Sequence, residues 1–180
     1  MDIFEVLMVG IEVCVAFAGF SGIIATYQFG DKSTVRRGDL TALTFIVQVS
    51  LALAAVCIFP IILRIFGLEG QTLWAATSYF GAALQMLLFP TYYKMMRGTL
   101  KNLRSRLWFA PFLAVAGLNA LLLILNANGL VFDREPGPVV LGISFGLAYV
   151  GYLFSRLLLR PLWRIVNAKE SERNSAPASG

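Results

Sequence analysis

The chain contains no histidine, only two cysteines, and charged side chains at 14% of its 180 positions. Without histidine it lacks the usual general base, proton shuttle and commonest metal ligand. Two dispersed cysteines cannot build a zinc or iron–sulfur site, so neither metal nor cofactor is expected. The scarcity of charge excludes more. Apolar residues make up 58% of the chain and mean hydropathy is +0.73, whereas soluble domains average about 45–50% apolar. So few charges cannot wrap so large an apolar interior in water, and the medium against which this chain folds must be lipid.

The expected fold is therefore all-α, an integral membrane bundle. A spanning helix needs roughly 20 mainly apolar residues. Five such stretches are present, at about 3–28, 40–64, 72–93, 107–126 and 138–158, separated by short polar breaks. Lysine and arginine accumulate on the cytoplasmic side of a membrane. Lys32, Arg36 and Arg37 occupy the first break, Lys94, Arg97, Lys101, Arg104 and Arg106 the third, and Arg156, Arg160, Arg164, Lys169 and Arg173 the end of the chain. Only Arg64 and Arg134 fall on the other side. Five crossings alternate without conflict if the N-terminus is outside and the C-terminus cytoplasmic. Residues 1–166 then form one transmembrane domain, and the polar stretch 167–180 is expected to be a disordered cytoplasmic tail that can be trimmed without loss of fold.

The net charge of +5 follows from that topology and draws the protein to anionic headgroups; no nucleic-acid partner is implied. Lys94, Arg97, Lys101 and Arg104 recur at helical spacing, as do Arg156, Arg160 and Arg164 beside Trp163. Both sets read as anchors where helix ends meet headgroups. A cleaved leader is disfavoured, because Asp2 and Glu5 stand where a signal peptide carries positive charge and Glu12 interrupts its apolar core. Cys14 is expected ~16 Å below the outer surface and Cys57 only ~5 Å, which makes a bond between them improbable.

The first helix places Glu5, Met8, Glu12, Ala16, Gly19, Gly22 or Ile23, and Thr26 on one stripe. Small residues mark close contact between membrane helices, so Glu12 is expected to face protein or a hydrated cavity. It lies ~14 Å from the start of the helix, near the middle of a hydrocarbon layer ~30 Å thick. A carboxylate there costs roughly 2.5–3.5 kcal/mol on insertion scales, so it is expected to be protonated, hydrogen-bonded or hydrated. Gln48, Asn119 and Tyr149 are depth-matched partners, and Gln85 lines one face of the third helix. All of these have a plainer reading as interhelical glue, worth ~0.6 kcal/mol per contact.

Gly142 and Gly146 form a GxxxG pattern that Gly151 extends, marking a close contact either within the chain or with a second copy. Pro60 and Pro90 sit near helix ends, where they are cheap. Gly19-Phe20-Ser21-Gly22 spells the GxSG string in which intramembrane serine proteases hold their nucleophile, but no base accompanies it and it reads as a packing motif. No phosphate-binding loop or dinucleotide fingerprint occurs.

The stretch from Ala16 to Ala25, AFAGFSGIIA, followed by a basic loop, resembles the opening of small bacterial multi-pass membrane proteins. The resemblance covers the first helix and implies a bacterial inner membrane, with no activity or ligand attached. The function expected is non-enzymatic: a bundle, homo-oligomeric, giving an ion, proton or small solute a path past Glu12. The alternative is a structural or accessory subunit docking another membrane protein through its basic cytoplasmic face.

Overall fold

The computed structural model describes the backbone of residues 2–29, 37–97 and 103–175, and the side chains of residues 2–26, 40–94 and 113–159. Five α-helices follow one another: α1 (Ile3–Phe29), α2 (Arg37–Ile65), α3 (Gly70–Arg97), α4 (Leu103–Ala127) and α5 (Gly137–Ser175). Among the described residues four helical segments are long and apolar enough to cross a membrane, Ile3–Thr26, Leu40–Ile65, Gly70–Lys94 and Gly137–Leu159. The described apolar part of α4, Leu113–Ala127, is shorter.

Local chemistry sets the helix ends. Asp2 caps α1: its Oδ1 accepts from the Phe4 N–H at 3.4 Å, and its own N–H donates back to Glu5 Oε2 at 3.2 Å. This reciprocal box occupies the first two acids of the chain and satisfies N–H groups that have no partner inside the helix. The helices α2 and α4 end alike. Leu68 N–H donates to Leu63 O at 3.1 Å and Gly67 N–H to Arg64 O at 3.0 Å; Leu130 N–H donates to Leu125 O at 3.0 Å and Gly129 N–H to Asn126 O at 2.9 Å. Gly67 and Gly129 have φ of +82° and +72°, the left-handed conformation this terminating motif demands and glycine adopts without strain.

The end of α5 departs furthest from expectation. The α5 helix does not stop near 158 but runs to Ser175, through most of the stretch read as a disordered tail; 176–180 lie outside the described residues. Ala168-Lys169-Glu170-Ser171-Glu172-Arg173 is rich in strong helix formers, and extending an existing helix needs no new nucleus. Low hydropathy marks where such a helix leaves the apolar layer, not where it ends.

Helix α2 is central, packed along α1 and also against α3 and α5, while α4 leans mainly on α3. Two apolar clusters fill the seams. Leu7, Cys57, Leu73, Trp74, Leu123 and Ile143 form one toward the start of α1; Leu43, Phe45, Ile46, Tyr92, Val150 and Leu153 form the other toward its end. Outside these seams the surface is itself apolar: Met8, Ile23, Leu87 and Leu141 are all more than half exposed. A continuous greasy exterior has a favourable solvent only in lipid.

Candidate functional site

Helix α1 settles the orientation of the acid. Leu7, Gly10, Cys14 and Ser21 are buried, a three-and-four spacing that turns this face to the bundle. A Cβ at Gly10 would stand 3.2 Å from Cys57 Sγ and 3.9 Å from Ile143, so glycine here is what allows α1 to approach α2 and α5. The other stripe, Glu5, Met8, Glu12, Ala16, Gly19, Gly22 and Thr26, is exposed throughout. Glu12 thus points away from the other helices of its own chain, so any protein or hydrated cavity that it faces lies outside this single bundle. Both faces of α1 carry small residues, and packing selected the one holding Gly10. Among the described residues nothing lies within 4 Å of where a Cβ would stand on Gly19 or Gly22.

The proposed depth-matched partners are elsewhere. Gly10 meets Cys57, Gly146 meets Leu53 and Gly142 meets Asn119, which puts Gln48 about two helical turns further toward the end of α1 than Glu12 and Asn119 near the level of Glu12, but on α4, which makes no contact with α1 among the described residues. Asn119 Nδ2 instead donates to Gln85 Oε1 at 3.3 Å, joining two of the anticipated polar residues across α3 and α4. Tyr149 meets Phe45 edge-on, with ring centroids 5.9 Å apart. Gln48 is half-buried; its Oε1, with Ser21 Oγ and Ser50 Oγ, is enclosed without a hydrogen-bond partner among the described residues.

The glycines of α5 pack inside the chain. A Cβ on Gly142 would lie 2.7 Å from Asn119 Oδ1, one on Gly146 would lie 2.7 Å from a Leu53 methyl, and one on Gly151 would sit 3.5 Å from Phe17. The motif therefore joins α5 to α4, α2 and α1.

Of the basic anchors, Lys94 and Arg156 are exposed. Arg37, Arg97, Arg104, Arg160 and Arg164 belong to helices but their side chains, like Arg36 and Lys101 altogether, lie outside the described residues. Arg64 sits over the Phe4 ring, 4.3 Å from its centroid, a cation–π contact at the opposite end of the bundle.

The two cysteines are free and buried. Their expected separation in depth shrinks, because Cys57 packs against Gly10 and so lies at its level, about one turn from Cys14.

Sequence reasoning missed Asn126. This fully buried amide donates from Nδ2 to Ser78 Oγ and to the Glu135 carbonyl, each at 2.9 Å, tying the α4–α5 loop to α3. The loop needs the tie: Asp133 and Arg134 have φ of 46° and 60°, a conformation costly for residues with a Cβ. An asparagine at the edge of a polar break reads as turn chemistry, and nothing local distinguishes a buried one.

Comparison of the chain with protein-family models, with curated proteins and with solved structures finds no match in any of the three.

Proposed function

We propose that this is a membrane-spanning protein of five crossings, with its N-terminus outside and its C-terminus cytoplasmic in a bacterial inner membrane, that self-associates through α1 and carries an ion, a proton or a small solute past Glu12. The reading rests on one observation. Glu12 sits in mid-helix on an exposed stripe with Ala16, Gly19 and Gly22, where the glycines have open space beside them. A carboxyl facing acyl chains at that depth has no satisfactory solvent, so the face calls for a cover. A second copy suits it: every copy enters with the same orientation, so a symmetric contact returns Glu12 to the same depth and sets small residues against small residues. The path then runs between subunits, not through one bundle. The carboxyls lining that seam offer a proton or cation a binding group, while the small side chains leave room beside them.

Flux of protons and of monovalent cations into vesicles, measured for the native chain and for Glu12→Gln, tests the path. Loss of flux in the variant with insertion retained is the expected outcome; equal flux, or none in either sample, refutes it. The alternative is an accessory subunit that docks another membrane protein through its basic cytoplasmic face. Crosslinking in native membranes separates the two: a ladder of multiples of this chain supports self-association, and a stoichiometric second protein supports the alternative. Labelling of both termini in intact cells tests the topology, with opposite compartments expected.

A further inference from the structure

We propose that the crevice bounded by α2, α3, α4 and α5 binds an acyl chain of a membrane lipid. It encloses about 110 Å³, because α4 packs on α3 and touches α5 while making no close approach to α2 among the described residues. Its wall is hydrocarbon from all four helices, with Leu53, Leu84, Leu88, Ala116 and Leu123 among its members.

Four side chains on that wall carry polar atoms, Thr77, Gln85, Tyr92 and Asn119. Thr77 Oγ1 donates to Leu73 O at 2.8 Å, and Asn119 Nδ2 donates to Gln85 Oε1 at 3.3 Å. Tyr92 turns its ring onto Phe45, with centroids 4.8 Å apart. A wall so largely hydrocarbon favours an apolar occupant over water, which needs two to four polar partners, just as an apolar cavity of roughly 150 Å³ in another protein stays dry and binds benzene.

Size and access narrow the class. Drug-sized ligands occupy sites of about 300–1,000 Å³, so this space takes only a short stretch of a slender chain, the rest of which lies in the bilayer outside. Phe89 lines the crevice while remaining 42% exposed, so the opening is on the flank of α3, among apolar surface and five residues before Lys94. The ligand enters sideways from the bilayer, tail first, with its headgroup left at the basic end of α3. The inference rests on the membrane reading of α2 to α5 and is independent of Glu12.

The test uses the full chain in phosphatidylcholine vesicles doped with a phosphatidylcholine that carries a diazirine on one acyl chain. After irradiation, adducts are mapped by mass spectrometry. Adducts on Leu84, Leu88 and Ala116 are expected to saturate as the labelled lipid increases, while those on the outward Leu51, Leu141 and Leu158 rise in proportion to it. Ala116→Phe fills the space, and adducts on Leu84 and Leu88 are expected to fall by about tenfold; Ala116→Leu, a milder filling that leaves the helix less disturbed, is expected to lower them in the same direction. Lining adducts that track the outward ones at every concentration, or that survive both fillings, overturn the proposal. Labelling by a diazirine fatty acid but not by the phospholipid overturns the assignment to a membrane lipid. Failure of the chain to float with the vesicles refutes the membrane reading instead, and is scored before irradiation.

Discussion

Replacing Gly146 by alanine sets a methyl carbon 2.7 and 2.8 Å from the two Leu53 methyls and 3.3 Å from Leu53 Cγ. Those separations are well inside van der Waals contact, so Leu53 must rotate away or α5 must retreat from α2. Leu53 packs against the cluster that holds Phe45, Val150 and Leu153, and its displacement disturbs that cluster. Overpacking of this kind costs about 1–3 kcal/mol, partly offset by the ~0.5–1 kcal/mol that alanine gains over glycine in a helix. The net expectation lies between no change and a loss of about 2.5 kcal/mol, which is about 1–3 kcal/mol below a glycine-to-alanine change free of overpacking. Gly19→Ala is the matched control, since open space surrounds that position and only the gain of up to ~1 kcal/mol applies within one chain. Reversible unfolding in mixed micelles titrated with dodecyl sulfate, in conditions that hold the protein monomeric, reads both. If Gly146→Ala unfolds at the same or a higher denaturant fraction than Gly19→Ala, the packing of α5 onto α2 described here is wrong.

Other consequences follow from the same contacts. Asn126→Ala removes two hydrogen bonds from a fully buried amide and is expected to cost about 1–3 kcal/mol, with Ser78→Ala costing roughly half as much; equal stability of Asn126→Ala and the native chain in the same unfolding assay would dismiss the amide as the tie of the α4–α5 loop. Cys14 and Cys57 are 1% and 0% exposed, so a maleimide should label neither in folded protein and both after denaturation; prompt labelling of the folded chain would contradict the α1–α2 seam. Gly19→Leu puts a bulky side chain on the uncovered stripe of α1 and is expected to weaken self-association while leaving single-chain stability near that of the native protein, as read by crosslinked ladders beside unfolding curves. An unchanged ladder would remove α1 from the subunit contact.

The positions of the five helices were legible in the residues because each apolar run is long and each break is polar. Loops such as Leu68-Glu69 and the Asn128–Pro136 connection declare themselves through glycine, proline and charge. The caps were equally local: Asp2 and Glu5 at one end, Gly67 and Gly129 at others. Which face of each helix turns inward was not legible. A helix that is greasy on all sides has no polar face to point at solvent, so the usual amphipathic cue is missing. Small residues were the substitute cue, and α1 carries two sets of them. The stripe with Gly10 packs and the stripe with Gly19 does not, a choice made by the shapes of α2 and α5.

The amino-acid sequence alone therefore determined the apolar, helical class of the chain, the number and approximate positions of the helices and the lack of histidine, since these depend on composition and on short-range spacing. The tertiary structure decided the orientation of Glu12, the pairing of Gln85 with Asn119, the burial of Asn126 and the existence of a crevice beside α4. Each of those depends on which helices touch and how closely they approach, quantities fixed by interlocking side chains far apart in the chain.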